Sequence, residues 1–445
     1  MTKEKVKVQL ESAEYVTITT DGWTSINNES YLSVTAHYIK NVQMESYLLE
    51  CYKYDAKHTA QNLAEELKRV TREWGIQQKI VCVVSDNAAN IVAAIRLTGW
   101  KHIPCFAHNL NLIVQCGLHC IHDISAKIKR TVEFFKRSPQ AATKLKEMQE
   151  QLGEPVLSLK QDVVTRWNST LDMFQRILEV QRSLISTVAL NYPDLPQISN
   201  DDVNKITQLC EVLKVFKVTT EEMSSEKQVT ASKVILLSQS LKRWCSSFVH
   251  NAAIAEDVRQ MAEKITEALN TRFRNIEDNA LFAEATILDP RFKSHGFKDK
   301  RCFEKCKQAL IAFCEKHQPS QRSDVTSPPP PISEMESIVW GEFDETVSSF
   351  VRNPHPKSAA IIEVDKFLQE PMLPRKENPL VWWSERRQIY PSLYNLVKKR
   401  LCVVATSTPC ERVFSKAGHT VTEKRNRLTG KRVSQILFLN ANLRE

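Results

Sequence analysis

Glycine is scarce, with 9 in 445 residues. The chain holds no P-loop, no G-x-G-x-x-G and no G-x-S-x-G, which removes the common nucleotide, dinucleotide and serine-hydrolase readings. H-E-x-x-H is missing too, and with it the zincins. No run of about 18 apolar residues occurs, so no segment reads as a membrane span. The opening stretch "MTKEKVKVQL" is charged rather than leader-like. The 12 cysteines therefore read as free thiols of a reducing compartment, not as a disulfide framework. There is no internal repeat. Neither sign of charge dominates: 61 Lys and Arg against 52 Asp and Glu give +9, which suits a polyanionic partner without requiring one.

What is present is an ordinary globular composition, 42% hydrophobic and 25% charged, long enough for two or three domains. "YVTITTDGW", "YLSVTAHYI" and "ESYLLECYKY" alternate as neighbouring half-buried strands do. "HTAQNLAEELKRVTREWG" spaces Leu63, Leu67, Val70 and Trp74 as a helix and ends in glycine. The apolar run Ile80 to Val84 reads as a strand buried on both faces. Together these predict a β-β-β-α-β unit. From residue 107 onward the pattern is mostly helical, broken at 317–333 by the proline-rich "HQPSQRSDVTSPPPPIS", a flexible linker.

Two carboxylates stand out. Asp21 and Asp86 each close a predicted strand of one sheet. If the strands are neighbours the carboxylates converge, and like charges held close call for a bound cation or a shared proton. Magnesium suits such a pair, since it takes one or two carboxylates and completes its shell with water and phosphate oxygens. Asp21 also has a plain reading as the first residue of an Asp-Gly turn. A third carboxylate cannot be chosen by composition. Glu411, opening a helix after "TSTP", is a candidate, and would equally suit the helix macrodipole.

"TTDGWTS", "SDNAANI", "PCFAHNLNLIV", "TRWNST", "ILDPRFK", "PLVWWSERRQIYPSL" and "STPCERVFSKAGHTVTEKRNRLTGKRV" follow one another in the order of the hAT-superfamily DNA transposases. Over nearly its whole length the chain resembles these, and most of all the BED-zinc-finger proteins derived from them. The resemblance implies an α+β fold: an RNase H-like catalytic core, split by a long all-α insertion and completed by a C-terminal helical dimerisation region. The corresponding boundaries are 1–168 for the first part of the core and 169–316 for the insertion. The linker at 317–333, the end of the insertion at 334–377 and the dimerisation region at 378–445 follow. By motif, the family's acidic triad falls on Asp21, Asp86 and Glu411, with Mg²⁺ or Mn²⁺ as cofactor if the chain is catalytic. No C-x2-C…H-x3-5-H finger precedes the first strand, so the sequence-reading module is missing here, either lost or carried by a fuller chain. The expected function is that of a domesticated nuclear protein that dimerises and binds DNA in transcriptional or chromatin regulation. The alternative is an active metal-dependent transposase; a protein–protein scaffold comes third.

Further residues carry two readings each. Cys105 and His108 match the family's C-x-x-H, with His108 expected to contact scissile DNA. Cys116, His119, Cys120 and His122 are expected to be core residues rather than zinc ligands. Arg166 and Trp167 match a position where the aromatic stacks on an extruded base, against the plain reading of a core tryptophan beside an exposed arginine. Residues 412–432 carry a net +6, with Arg412, Lys424, Arg425 and Arg427 expected on DNA phosphates and "EKRNRLTGKR" as a nuclear-localisation run. Trp382 and Trp383 read as core or dimer contacts. The apolar stripes around them, Leu401, Val403, Phe414 and Phe438 exceed what a short terminal segment buries alone, which points to self-association through 378–445.

Overall fold

In the computed structural model, which describes residues 2–163, 166–317, 342, 356–420 and 428–443, the alternating segments form one five-stranded sheet. Strands β1 (Val16–Thr24), β2 (Ser30–Lys40), β3 (Gln43–Lys53), β4 (Ile80–Ser85) and β5 (Lys101–Pro104) lie in the order 3-2-1-4-5. The β1–β2 and β2–β3 pairs are antiparallel; β1–β4 and β4–β5 are parallel. The expected β-β-β-α-β unit is there, with two additions. Helix α1 (Thr2–Glu11) precedes β1, so the chain does not open directly on a strand; only Val6 and Leu10 of this charged segment are buried. Strand β5 is four residues long with a single fully buried side chain, Ile103, too little to show alternation.

The faces of β1 explain its composition. Val16 and Ile18 pack with Leu63, Leu67 and Val70 of α2 (Ala60–Glu73) and with Ala94 and Ile95 of α3 (Ala89–Thr98). Thr17, Thr19, Asp21 and Trp23 take the other face by strand alternation. The threonines suit it because they meet thiols and hydroxyls. Thr17 Oγ1 lies 3.6 Å from Cys82 Sγ and 3.8 Å from Cys402 Sγ. Thr19 Oγ1 lies 2.6 Å from Thr35 Oγ1 and 3.1 Å from Cys410 Sγ. Thr35 in turn lies 2.8 Å from His37 Nε2, and burial pushes that imidazole down to about 4, so it stays neutral.

Beyond β5 every regular element among the described residues is helical. The helices run α4 (Phe106–Leu118), α5 (His122–Arg137), α6 (Pro139–Gln151), α7 (Trp167–Glu179), α8 (Gln181–Asn191), α9 (Asn200–Met223), α10 (Val234–Val249), α11 (Glu256–Arg272), α12 (Ala280–Leu288) and α13 (Lys300–Lys316). Then come α14 (Pro356–Gln369), α15 (Pro379–Glu385), α16 (Pro391–Leu401), α17 (Thr408–Thr420) and α18 (Gly430–Asn442). Gly117 in α4 marks a close crossing: a Cβ there would lie 2.5 Å from Ile265 Cγ1 on α11. From residue 318 on, the expected linker lies outside the described residues.

The chain returns to the sheet after α16. Phe106 N–H donates to Ala405 O (2.9 Å) and Ser407 N–H to Cys105 Sγ (3.3 Å), tying the start of α4 to the approach of α17. Cys410, Val413, Phe414 and Ala417 of α17, with Val433 and Leu437 of α18, cover Tyr31, Leu48 and Cys51. Asn442 grips β3 with both ends of its amide, accepting from Leu48 N–H (3.0 Å) and donating to Leu48 O (2.8 Å).

This packing corrects the argument for surface stripes. Trp382, Trp383, Leu401, Val403 and Phe414 are buried within the one chain, and Phe438 packs beside Trp74. Their area is covered by the sheet and the preceding helices, not left for a second copy. The "ILDPRFK" segment supplies part of that cover. The Asp289–Arg291 pair is buried at 2.6 Å, and Ser232 also donates to Asp289. Lys293 Nζ donates to Phe367 O (2.7 Å) and Glu370 O (2.5 Å), capping the end of α14, and lies 4.8 Å from the Phe367 ring centroid.

Candidate active site

The β1–β4 register sets the first two carboxylates side by side. Ile18 is level with Val83 and Thr19 with Val84, so two residues further on Asp21 is level with Asp86. Asp86 follows β4 directly, as expected. Asp21 is not the end of its strand: β1 runs on to Thr24 against β2, and Asp21 lies past the last pairing with β4. Glu411 arrives in the first turn of α17, carried there by the packing of Cys410 against Thr19.

The electrostatics follow from the placement. Asp21 is half-buried and accepts one backbone hydrogen bond, from Gly22 N–H at 2.9 Å. Burial, then the negative charges of Glu411 and Asp86, push its carboxyl up to about 7. Asp86 Oδ1 accepts from Ala88 N–H at 3.2 Å, an Asx turn leading into α3. Burial holds the neighbouring His102 below its ordinary value, with Asp86 opposing that shift.

Asp21 and Glu411 open onto a cleft of about 620 Å³ that Trp23, His108, Arg166 and Asn168 also line. Asp86 is within electrostatic reach but not on its wall. Among the described residues no group of three His, Cys, Asp or Glu side chains is gathered tightly enough to hold a metal ion by itself. The donor set still fits a hard cation, which needs only one or two carboxylates when water and phosphate complete its shell. Asp21, driven toward neutrality by burial and by the charges of Glu411 and Asp86, is also the electrostatic demand that such an ion relieves.

The other expected site residues divide. His108 and Arg166 are on the cleft wall. Trp167 also lines the cleft, but it is 2% exposed and edge-on to Phe216, as a largely covered tryptophan is. Cys105 is a helix cap, its Sγ accepting from His108 N–H at 3.5 Å. Arg412 is committed within the chain, paired with Glu226 and donating to Ser224 O at 2.8 Å. Lys424, Arg425 and Arg427 lie outside the described residues. Sequence reasoning gave no role to Trp23 or Asn168. Trp23 stacks on Phe414 (6.0 Å) at the cleft, and its signal was alternation, since it shares a strand face with Asp21. Asn168 has a buried Oδ1 with no hydrogen-bond partner and gave no signal at all.

Three family models match along the chain: the ZBED1 RNase-like domain at residues 19–98, the ZBED1 RNase-like helical domain at 103–212, and the hAT family C-terminal dimerisation region at 363–443. The chain belongs to the hAT-transposase-derived proteins. Among the relatives of this hAT-derived chain, human zinc finger BED domain-containing protein 4 is 25% identical over 99% of the chain and 39% of the relative. A Zea mays protein named as an AC transposase is 26% identical over 98% and 58%. Mouse zinc finger BED domain-containing protein 6 is 26% identical over 99% and 49%. The hAT-derived chain thus spans about half the length of the curated relatives it matches. Asp21 and Asp86 fall in the first matched region, His108 and Arg166 in the second, and Glu411 in the third.

Proposed function

We propose that this chain is a self-associating, DNA-binding nuclear protein built on a transposase core and acting in transcriptional or chromatin regulation. In this reading the RNase H-like core, whose five strands all precede residue 105, is split by an insertion that begins at residue 169 and is completed by α17 and α18. The observation that carries this reading is that Asp21 and Glu411 line one cleft with Asp86 within electrostatic reach of Asp21, from segments 325 residues apart at the widest gap in sequence. Residues 363–443, matched as a dimerisation region, support self-association, although their large aromatics serve the monomer core. No helix among the described residues is long and apolar enough to cross a membrane.

A divalent ion held by Asp21 and Glu411, with Asp86 beside them, would neutralise charge building on phosphate oxygens during strand cleavage. Around it His108 and Arg166, both on the cleft wall, would hold the phosphate backbone by hydrogen bonding and charge. The presence of all three carboxylates favours a second reading, an active transposase. Incubating the full chain with end-bearing duplex and Mg²⁺ or Mn²⁺ separates the two. Binding without nicking supports the regulator; nicking by wild type and not by Asp86→Asn assigns the transposase; no binding to any duplex overturns both. Light scattering on the same sample is expected to give at least a dimer mass. A monomer at micromolar concentration would remove the assembly part of the proposal.

A further inference from the structure

The end of the sheet opposite the carboxylate cleft holds a second concavity, of about 380 Å³, between the β2–β3 turn and helices α15 and α16. Lys40, Arg387 and Lys398 line it, with Glu14 as the one carboxylate. Lys398 is paired with Glu14 at 2.8 Å, and nearby Arg400 is paired with Glu284. Lys40, Lys101, Arg387 and Lys399 have no ion-pair partner among the described residues. Lys40 donates only to the neutral Gln9 Oε1, at 2.6 Å. Lys399 lies 5.5 Å from the Tyr15 ring centroid, and burial together with the charges of Arg400 and Lys101 holds its ammonium below the ordinary range. Of the three cations that line the pocket, Lys398 alone is answered by a carboxylate among the described residues, and Lys399 and Lys101 add positive charge nearby.

The turn on the pocket's rim is also unusual. Asn41 and Val42 both adopt left-handed backbone, φ 45° and 58°. A two-residue hairpin turn asks for this, and asparagine tolerates it. A β-branched residue does not, so Val42 is strained. Its carbonyl accepts from Asn378 Nδ2 at 3.4 Å, which pins the turn against the segment opening α15.

We infer that this pocket takes a backbone phosphate of DNA, a second contact remote from the carboxylate cleft. The identity of the polyanion rests on the DNA-binding reading; the anion pocket does not. The plain alternative is a solvated basic face. Arg387 distinguishes them, being exposed and taking part in no hydrogen bond or ion pair among the described residues. Full-length wild type, Arg387→Gln and Arg387→Glu are titrated with duplexes of unrelated sequence across a range of salt. Arg387→Glu is expected to weaken binding to every duplex and to reduce the slope of log K against log salt by about 1, with an unchanged melting temperature. Arg387→Gln is expected to fall between. Wild-type binding with the same slope in Arg387→Glu overturns this contact and leaves the DNA-binding reading standing. A wild type that binds no duplex overturns that reading and, with it, the nucleic-acid contact. In either of those cases, pyrophosphate stabilising wild type and not Arg387→Glu would reassign the pocket to a small phosphate.

Discussion

Above pH 7, the Asp21→Asn variant is expected to melt at a higher temperature than wild type when no divalent ion is present. The carboxyl titrates at 3.8 in the unfolded chain and at about 7 in the folded one. Between those values the folded state keeps a proton that the unfolded state has released, so wild-type stability falls as pH rises through the window. Above it, folding carries the full cost of an ionised carboxylate beside Glu411 and Asp86. Every tenfold change in proton affinity between the two states is worth about 1.4 kcal/mol, so the variant gains on the order of 2–4 kcal/mol at high pH and nothing below the unfolded value. Asparagine keeps the oxygen that accepts from Gly22 N–H. Melts across the pH range check this. A variant that tracks wild type throughout would make Asp21 an ordinary turn residue.

Trp383→Ala should cost about 3–5 kcal/mol in denaturant unfolding, among the largest effects of any single truncation in this chain. The side chain is 0% exposed, donates its ring N–H to Leu288 O at 2.8 Å, and meets Phe367 at 4.8 Å and Trp382 at 5.1 Å. Trp383→Phe keeps much of the packing but leaves the Leu288 carbonyl without its donor, a loss of about 1–3 kcal/mol. Both effects should be independent of protein concentration. A small effect on unfolding together with loss of self-association would instead make Trp383 an interface residue.

The two halves of the site differed in how much the residues alone disclosed. Asp86 was legible because an aliphatic run ends beside it, and Asp21 because its strand alternates. That alternation pairs aliphatics with threonines, since Thr17 and Thr19 face Cys402 and Cys410 rather than water. Glu411 could not be placed by any local pattern. Its position depends on α17, which begins 392 residues after β1 does, docking on the sheet, and only the resemblance to a family supplied it. The apolar stripes around Trp382 and Leu401 were legible as surfaces that must be covered, but sequence does not say whether by the same chain or another. Here it is the same chain. Trp167 was likewise a choice between a covered and an open ring, and its burial depends on Phe216, 49 residues further on. Arg412, at the start of the basic run, was illegible for a related reason: it finds its carboxylate on the loop after α9, at Glu226.

The central claim is that Asp21, Asp86 and Glu411 form one site for a hard divalent ion. Its most direct test is the melting temperature of the full chain above pH 7, with and without millimolar Mg²⁺ or Mn²⁺. An ion that binds the folded state alone stabilises it by mass action, about 2.7 kcal/mol at a hundredfold excess over Kd. Wild type should therefore melt higher with either ion, while Asp21→Asn and Asp86→Asn, already relieved of a like charge, should show no rise. A wild type whose melting temperature ignores both ions would contradict the account.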